Sequence, residues 1–201
     1  VFVLLVVAVP LGMTATPAEA AAWCLGKPAT HVMKPGDPTY FGTAGDDVVI
    51  GSKGNDRIAL VPSGGIDLVC GGAGNDRIEV TGNGSIADGE LGNDRVLASF
   101  GAIAHGGAGN DFVLAQPGGR AEGGSGDDEL QVGAGIGDGG SGNDKILSTL
   151  ASAVFGGSGS DSIDDFSSQT VDCGSGRDTA TIDDAATKVR GCERQSSSSI
   201  E

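Results

Sequence analysis

The chain has 201 residues, 37 of them Gly where about 7% is usual, and a formal net charge of −15 at pH 7. An acidic surface repels nucleic acid and anionic membranes, so the charge argues against both as partners and suits hard cations. One Trp, one Tyr and six Phe leave little material for a large globular core.

The first 22 residues read differently from the rest. VFVLLVVAVPLGM is apolar and uncharged, and TPAEAAA supplies small residues in A-x-A spacing, at Ala18-Glu19-Ala20 or Ala20-Ala21-Ala22. This is the pattern of a secretory signal peptide, residues 1–22, with an apolar run short for a membrane span. The mature chain is then expected outside the cell, with no span of its own. Four cysteines follow: Cys24, Cys70, Cys173 and Cys192. An even count behind a secretion signal suggests two disulfides, with three pairings open. No C-x-x-C pair points to zinc.

From Gly42 a nine-residue motif recurs, G1-G2-x3-G4-x5-D6-x7-U8-x9, with U a large apolar residue. Copies start at Gly51, Gly71, Gly89, Gly106, Gly123, Gly139 and Gly156, with a weaker one at Cys173. Position 6 is Asp56, Asp76, Asp94, Asp111, Asp128, Asp144, Asp161 and Asp178 without exception. Position 8 runs Ile58, Ile78, Val96, Val113, Leu130, Ile146, Ile163 and Ala180. The glycines permit positive φ in a tight turn and bring main-chain carbonyls close to a central point. The Asp adds a carboxylate at the end of that turn. Position 8 opens a short strand whose side chain points inward.

One turn and one short strand bury nothing alone, so copies must stack with strands about 4.8 Å apart. The starts lie about seventeen residues apart, so nine residues of motif and about eight of plain return form one full coil. The expected fold is an all-β parallel solenoid of about eight coils, with one metal ladder on one side. The inward column of the return half is expected two residues before G1, at Val69, Ala87, Ala104, Ala121, Val154 and Val171. Near the start the copies come at half-coil spacing. GTAGDDVVI begins at Gly42 and a degraded PSGGIDLVC at Pro62, which sets Asp47 and Asp67 opposite Asp56 and Asp76. One further metal site is expected on that side. A single Asp in a Gly turn caps its own turn. Eight in register, each with Gly two residues before it, point to a metal.

These residues resemble the RTX, or hemolysin-type, calcium-binding nonapeptide repeat, over roughly Gly42 to Ile182. The resemblance implies a right-handed parallel β-roll with Ca2+ between successive turns, held by the Asp column and by motif carbonyls near Gly71, Gly106, Gly123, Gly139 and Gly156. The ends, CLGKPATHV and VDCGSGRDTATIDDAATKVRGCE, resemble a subgroup of secreted, cysteine-containing calcium-binding proteins of actinobacteria. That resemblance implies the pairs Cys24–Cys70 and Cys173–Cys192. The second pair also agrees with the period, since nineteen residues is about one coil. The domains are then 1–22 signal peptide, 23–41 N-terminal cap, 42–182 β-roll, and 183–201 C-terminal cap and tail.

The function expected is a non-enzymatic, calcium-binding structural or surface-interaction module whose folding is coupled to the metal. The alternatives are an adhesin-like or glycan-binding repeat protein and a polysaccharide-acting enzyme on a parallel β-helix. Larger coils and a basic cleft would mark that enzyme, and a T-x-T column would mark ice binding; none is present. GIGDGG from Gly135 has the form of a dinucleotide-binding loop only. His31 and His105 stand alone, with His105 expected at an exposed strand end.

Overall fold

The computed structural model describes residues 22–60, 64–184 and 187–196. The proposed signal peptide falls, except for Ala22, outside the described residues, as do Pro62 and the end of the tail.

A coil is built as its sequence dictates. In Ile103–Ala108 the residues alternate between outward and inward, and the strand runs straight on into Gly106 and Gly107. The chain then turns through Gly109, Asn110 and Asp111 and re-emerges as Phe112–Ala115. Repeating this unit gives two parallel sheets, of 10 and 11 strands, in which every strand pairs with its counterparts one coil away. There is no helix among the described residues, so GIGDGG opens none; Ile136–Ser141 is a strand.

The solenoid has about nine turns of about 17 residues, rather than about eight. The extra turn comes from the ends. His31–Val32 and Tyr40–Phe41 pair with the coil after them, and Lys188–Arg190 and Arg194–Ser196 pair with the coil before them. A short antiparallel hairpin, Trp23–Cys24 with Lys27–Pro28, precedes the first turn.

The core is a thin double column. Position 8 stacks in register, Val96 on Val113, Val113 on Leu130, Leu130 on Ile146 and Ile146 on Ile163, all buried. Each such side chain contributes about 1.5–3 kcal/mol by leaving water. Facing them is the return column that the sequence favours, Val69, Ala87, Ala104, Ala121, Val154 and Val171, each fully buried. Gly137 takes the same place where Val132 needs the room: a Cβ there would lie 2.7 Å from Val132 Cγ2. Ile86, Ile103, Arg120 and Ile136, one residue earlier, lie only partly buried on the outer face. Leu68 is the exception and is buried, packed in a second cluster with Cys24, Val48 and Cys70.

Both cysteine pairs are as the resemblance implies. Cys24 is bonded to Cys70 across 46 residues and Cys173 to Cys192 across 19, one near each end of the stack. Terminal coils have a neighbour on one side only, so a covalent clip there limits fraying where packing is weakest.

Candidate metal centre

The Asp of position 6 sits at the corner where the glycine turn hands over to the second sheet. All eight are buried. Their carboxylates form a ladder along the stack, each accepting on Oδ1 the backbone N–H of the Asp one coil before. Asp56 N donates to Asp76 at 2.8 Å, Asp76 N to Asp94 at 2.7 Å, and Asp94 N to Asp111 at 2.7 Å. The series continues through Asp128, Asp144 and Asp161 to Asp178 at 2.8–2.9 Å.

A second ladder, running the other way, lies one residue earlier and was not singled out from the sequence. From Asn75 to Ser160 the backbone N–H of the position-5 residue donates to the side chain of position 5 in the coil before. Asn75 bonds to Asn55 at 2.8 Å, Asn110 to Asn93 at 2.9 Å, Asp127 to Asn110 at 3.0 Å and Asn143 to Asp127 at 2.7 Å. Its signal was present as a column of Asn or Asp immediately before the invariant Asp. The two ladders fix the corner from both faces, since a side-chain oxygen answers the backbone N–H at each of the two positions.

The other carboxylate oxygen carries the chemistry. Oδ2 of Asp76, Asp94, Asp111, Asp128, Asp144, Asp161 and Asp178 is buried and has no hydrogen-bond partner. A buried ionised oxygen without a partner is strongly unfavourable. Asp165 shows the satisfied alternative in the same molecule: it is buried too, but accepts the Ser168 N–H at 3.0 Å and the hydroxyls of Ser148 and Ser168.

The orphaned oxygens are not alone in their pockets. An ideal Cβ on Gly106 would sit 2.5 Å from Oδ2 of Asp111 and 2.5 Å from the carbonyl oxygen of Gly123. On Gly123 it would meet Asp128 Oδ2 at 2.4 Å and the Gly139 carbonyl at 2.5 Å, and on Gly139 it would meet Asp144 Oδ2 and the Gly156 carbonyl at 2.4 Å each. In these coils G1 must therefore be Gly, because the space under it holds a carboxylate oxygen of its own coil and a carbonyl of the next; the last copy, with Cys173 at this place, is the exception. The Gly71 carbonyl points in the same way toward Gly51. The sequence-predicted carbonyls and the Asp column are thus brought to one corner.

Burial pushes Asp94 and Asp128 up to about 7, and Asp76 and Asp144 up to about 6. Loss of hydration is the main cause; the N–H bond from the preceding coil lowers each value and neighbouring carboxylates raise it again. Among the described residues no three His, Cys, Asp or Glu side chains converge on one metal position. What each corner offers is one carboxylate per coil plus main-chain oxygen. An all-oxygen, anionic set of this kind fits a hard, flexible cation such as Ca2+ and not zinc or copper.

Asp47 and Asp67 lie at the opposite corner, as the half-coil spacing implies, and Asp47 N donates to Asp67 Oδ1 at 2.9 Å. That column ends at once. Asp67 N donates to the hydroxyl of Ser85, and the next equivalent places are Ala102 and Gly119. The Asp67 position therefore carries no carboxylate in the coils that follow. His105 lies within a strand rather than at its end, paired with Glu122 at 2.5 Å, while Arg120 reaches Glu122 and Asp138. His31 stacks on Tyr40 with ring centroids 4.1 Å apart.

One coil departs from the glycine rule. Position 2 is Glu90, held at φ +68°, where the later coils have Gly. A left-handed backbone costs a non-Gly residue about 1 kcal/mol or more. Glu90→Gly is therefore expected to stabilise the calcium-loaded chain by about 1 kcal/mol, read as a higher urea midpoint at unchanged slope.

A family model described as RTX calcium-binding nonapeptide repeat (4 copies) matches residues 39–60, 71–102 and 103–118. No curated protein and no solved structure matches the chain significantly. The Asp ladder carries on past the matched segments without a change of geometry, through Asp128, Asp144, Asp161 and Asp178.

Proposed function

Given that the chain is an RTX-type calcium-binding repeat protein, we propose that it is an extracellular structural or surface-interaction module whose folding is coupled to calcium binding. The observation that carries this reading is the run of seven buried carboxylate oxygens with no hydrogen-bond partner. Asp76, Asp94, Asp111, Asp128, Asp144, Asp161 and Asp178 would hold the metal, together with the first carbonyl of the neighbouring motif. Calcium supplies positive charge and accepts six to eight oxygen ligands in flexible geometry, where magnesium demands a tight octahedron and keeps its water.

The residues themselves explain the coupling. Stacking sets like charges one coil apart in a desolvated corner, so the ladder opposes its own assembly at neutral pH. Ordering a glycine-rich backbone adds an entropic cost. Unfolding separates the carboxylates and returns them to water, so whatever favours the assembled ladder favours the fold by the same free energy. The two disulfides support an oxidising compartment.

Isothermal titration of the disulfide-intact chain at pH 7.5 tests the reading. Several calcium equivalents are expected, with affinities near the 10⁻⁴–10⁻³ M usual for extracellular modules, and little heat with magnesium at equal concentration. A chain that takes up no calcium, or takes up both ions alike, contradicts it.

A further inference from the structure

Not every Asp of the motif is orphaned, and the exceptions follow one position. Asp47 and Asp56 are buried like the others, yet Oδ2 of neither is orphaned. Asp47 Oδ2 accepts the backbone N–H of Thr43 at 2.7 Å, and Asp56 Oδ2 accepts that of Ser52. Thr43 and Ser52 are the position-2 residues of their motifs, with ordinary negative φ.

In the seven coils with an orphaned oxygen, position 2 is Gly72, Glu90, Gly107, Gly124, Gly140, Gly157 or Gly174, all at positive φ between 68° and 112°. In two of them the N–H is seen to point elsewhere. Glu90 N donates at 3.0 Å to Asp88 and Gly174 N at 3.2 Å to Asp172, each on the outer face. A negative φ at position 2 thus turns the N–H in toward the carboxylate of its own loop. A positive φ turns it away and leaves that oxygen needing a cation. The choice is local and needs no neighbour coil.

We propose that position 2 decides which turns take calcium, and that the loops Thr43–Asp47 and Ser52–Asp56 are metal-independent and form a pre-folded N-terminal cap on which the calcium-dependent turns stack. This rests on the calcium reading and narrows it: the ladder begins at Asp76, and Asp47 and Asp56 belong to the cap. Three further features lie in the same part of the chain. The Cys24–Cys70 bond clips it, the cluster of Cys24, Val48, Leu68 and Cys70 gives it a core of its own, and His31 stacks on Tyr40. The cap can therefore stand without metal, and it presents an ordered strand edge in each sheet to the chain that follows.

The test uses the full disulfide-intact chain in three forms: wild type, Asp47→Asn/Asp56→Asn, and Asp111→Asn/Asp128→Asn. Asn keeps an acceptor for the Thr43 and Ser52 N–H groups, so the first variant retains its loops. Calcium equivalents are counted by titration, and hydrogen exchange is followed by mass spectrometry in EDTA and in calcium. The cap variant is expected to bind as many equivalents as wild type, and the ladder variant fewer. In EDTA, peptides within residues 40–60 are expected to exchange at least tenfold more slowly than peptides within 104–148; in calcium both are protected. If the cap variant loses as many equivalents as the ladder variant, or if 40–60 exchanges in EDTA as fast as 104–148, the cap is not metal-independent and the inference falls while calcium binding stands. A wild type that binds no calcium overturns the calcium reading, and this boundary with it.

Discussion

Replacing Gly126 by Ala is expected to destabilise the calcium-loaded roll by about 3 kcal/mol or more, enough to lower its urea midpoint sharply. The residue is the G4 of its motif and has φ +125°, where any side chain is strained. A Cβ there would also lie 1.9 Å from the carbonyl oxygen of Gly109 and 2.6 Å from its carbonyl carbon, both backbone atoms of the coil before. Backbone cannot swing aside as a flexible side chain can. Relief requires the two coils to part locally, which breaks hydrogen bonds of both corner ladders at once. Conformational strain and overpacking each cost about 1–3 kcal/mol, and here they add. Gly118→Ala is the matched control. It has φ +84°, but its nearest neighbours are 3.8 Å away, so only the backbone strain of about 1 kcal/mol is expected. Equal losses in the two variants would show that spacing between coils is not what the glycine protects.

The metal-free chain is expected to be more stable in acid than at neutral pH, the reverse of most folded proteins. The sign follows from the ladder. Asp94 and Asp128 are raised to about 7 and Asp76 and Asp144 to about 6, against about 3.9 in an unfolded chain. The folded state therefore binds more protons than the unfolded state between those values. Its stabilising contribution is complete below about pH 4 and is lost as the pH rises through 6 to 7. A protonated Oδ2 can also donate a hydrogen bond, which an orphaned carboxylate cannot. Urea titration in EDTA should show an unfolding transition at pH 4.5 that is much weaker or absent at pH 7.5, and saturating calcium should abolish or reverse that order. A metal-free midpoint that rises from pH 4.5 to 7.5 would mean the carboxylates are satisfied in the fold without cation or proton.

Periodicity made most of this structure readable in advance. The Asp and apolar columns of the motif fixed the coil, the two sheets and the buried corner, because each column has a single place in a stacked turn. The return column was readable from size alone: small residues at Ala87, Ala104 and Ala121 fit a thin core where Arg120 could not. Three features were not readable. The Asn column at position 5 looked like ordinary turn chemistry, because its partner lies one coil away and not in its own loop. The terminal turns carry no motif, and His31–Val32 and Lys188–Arg190 join the sheets only because a neighbour offers a free edge. The difference between Asp56 and Asp76 rests on one φ angle at position 2, and Ser52 beside Gly72 gave a sequence hint that only the N–H direction made meaningful.

The central claim is that the roll assembles because calcium answers the unpartnered oxygens of the Asp ladder. Far-UV circular dichroism of the disulfide-intact chain at pH 7.5, first in EDTA and then through a calcium titration, tests it most directly. A largely unordered spectrum that turns to β as calcium rises, and does not do so with equal magnesium, is the predicted result. The same β spectrum in EDTA and in calcium would contradict it.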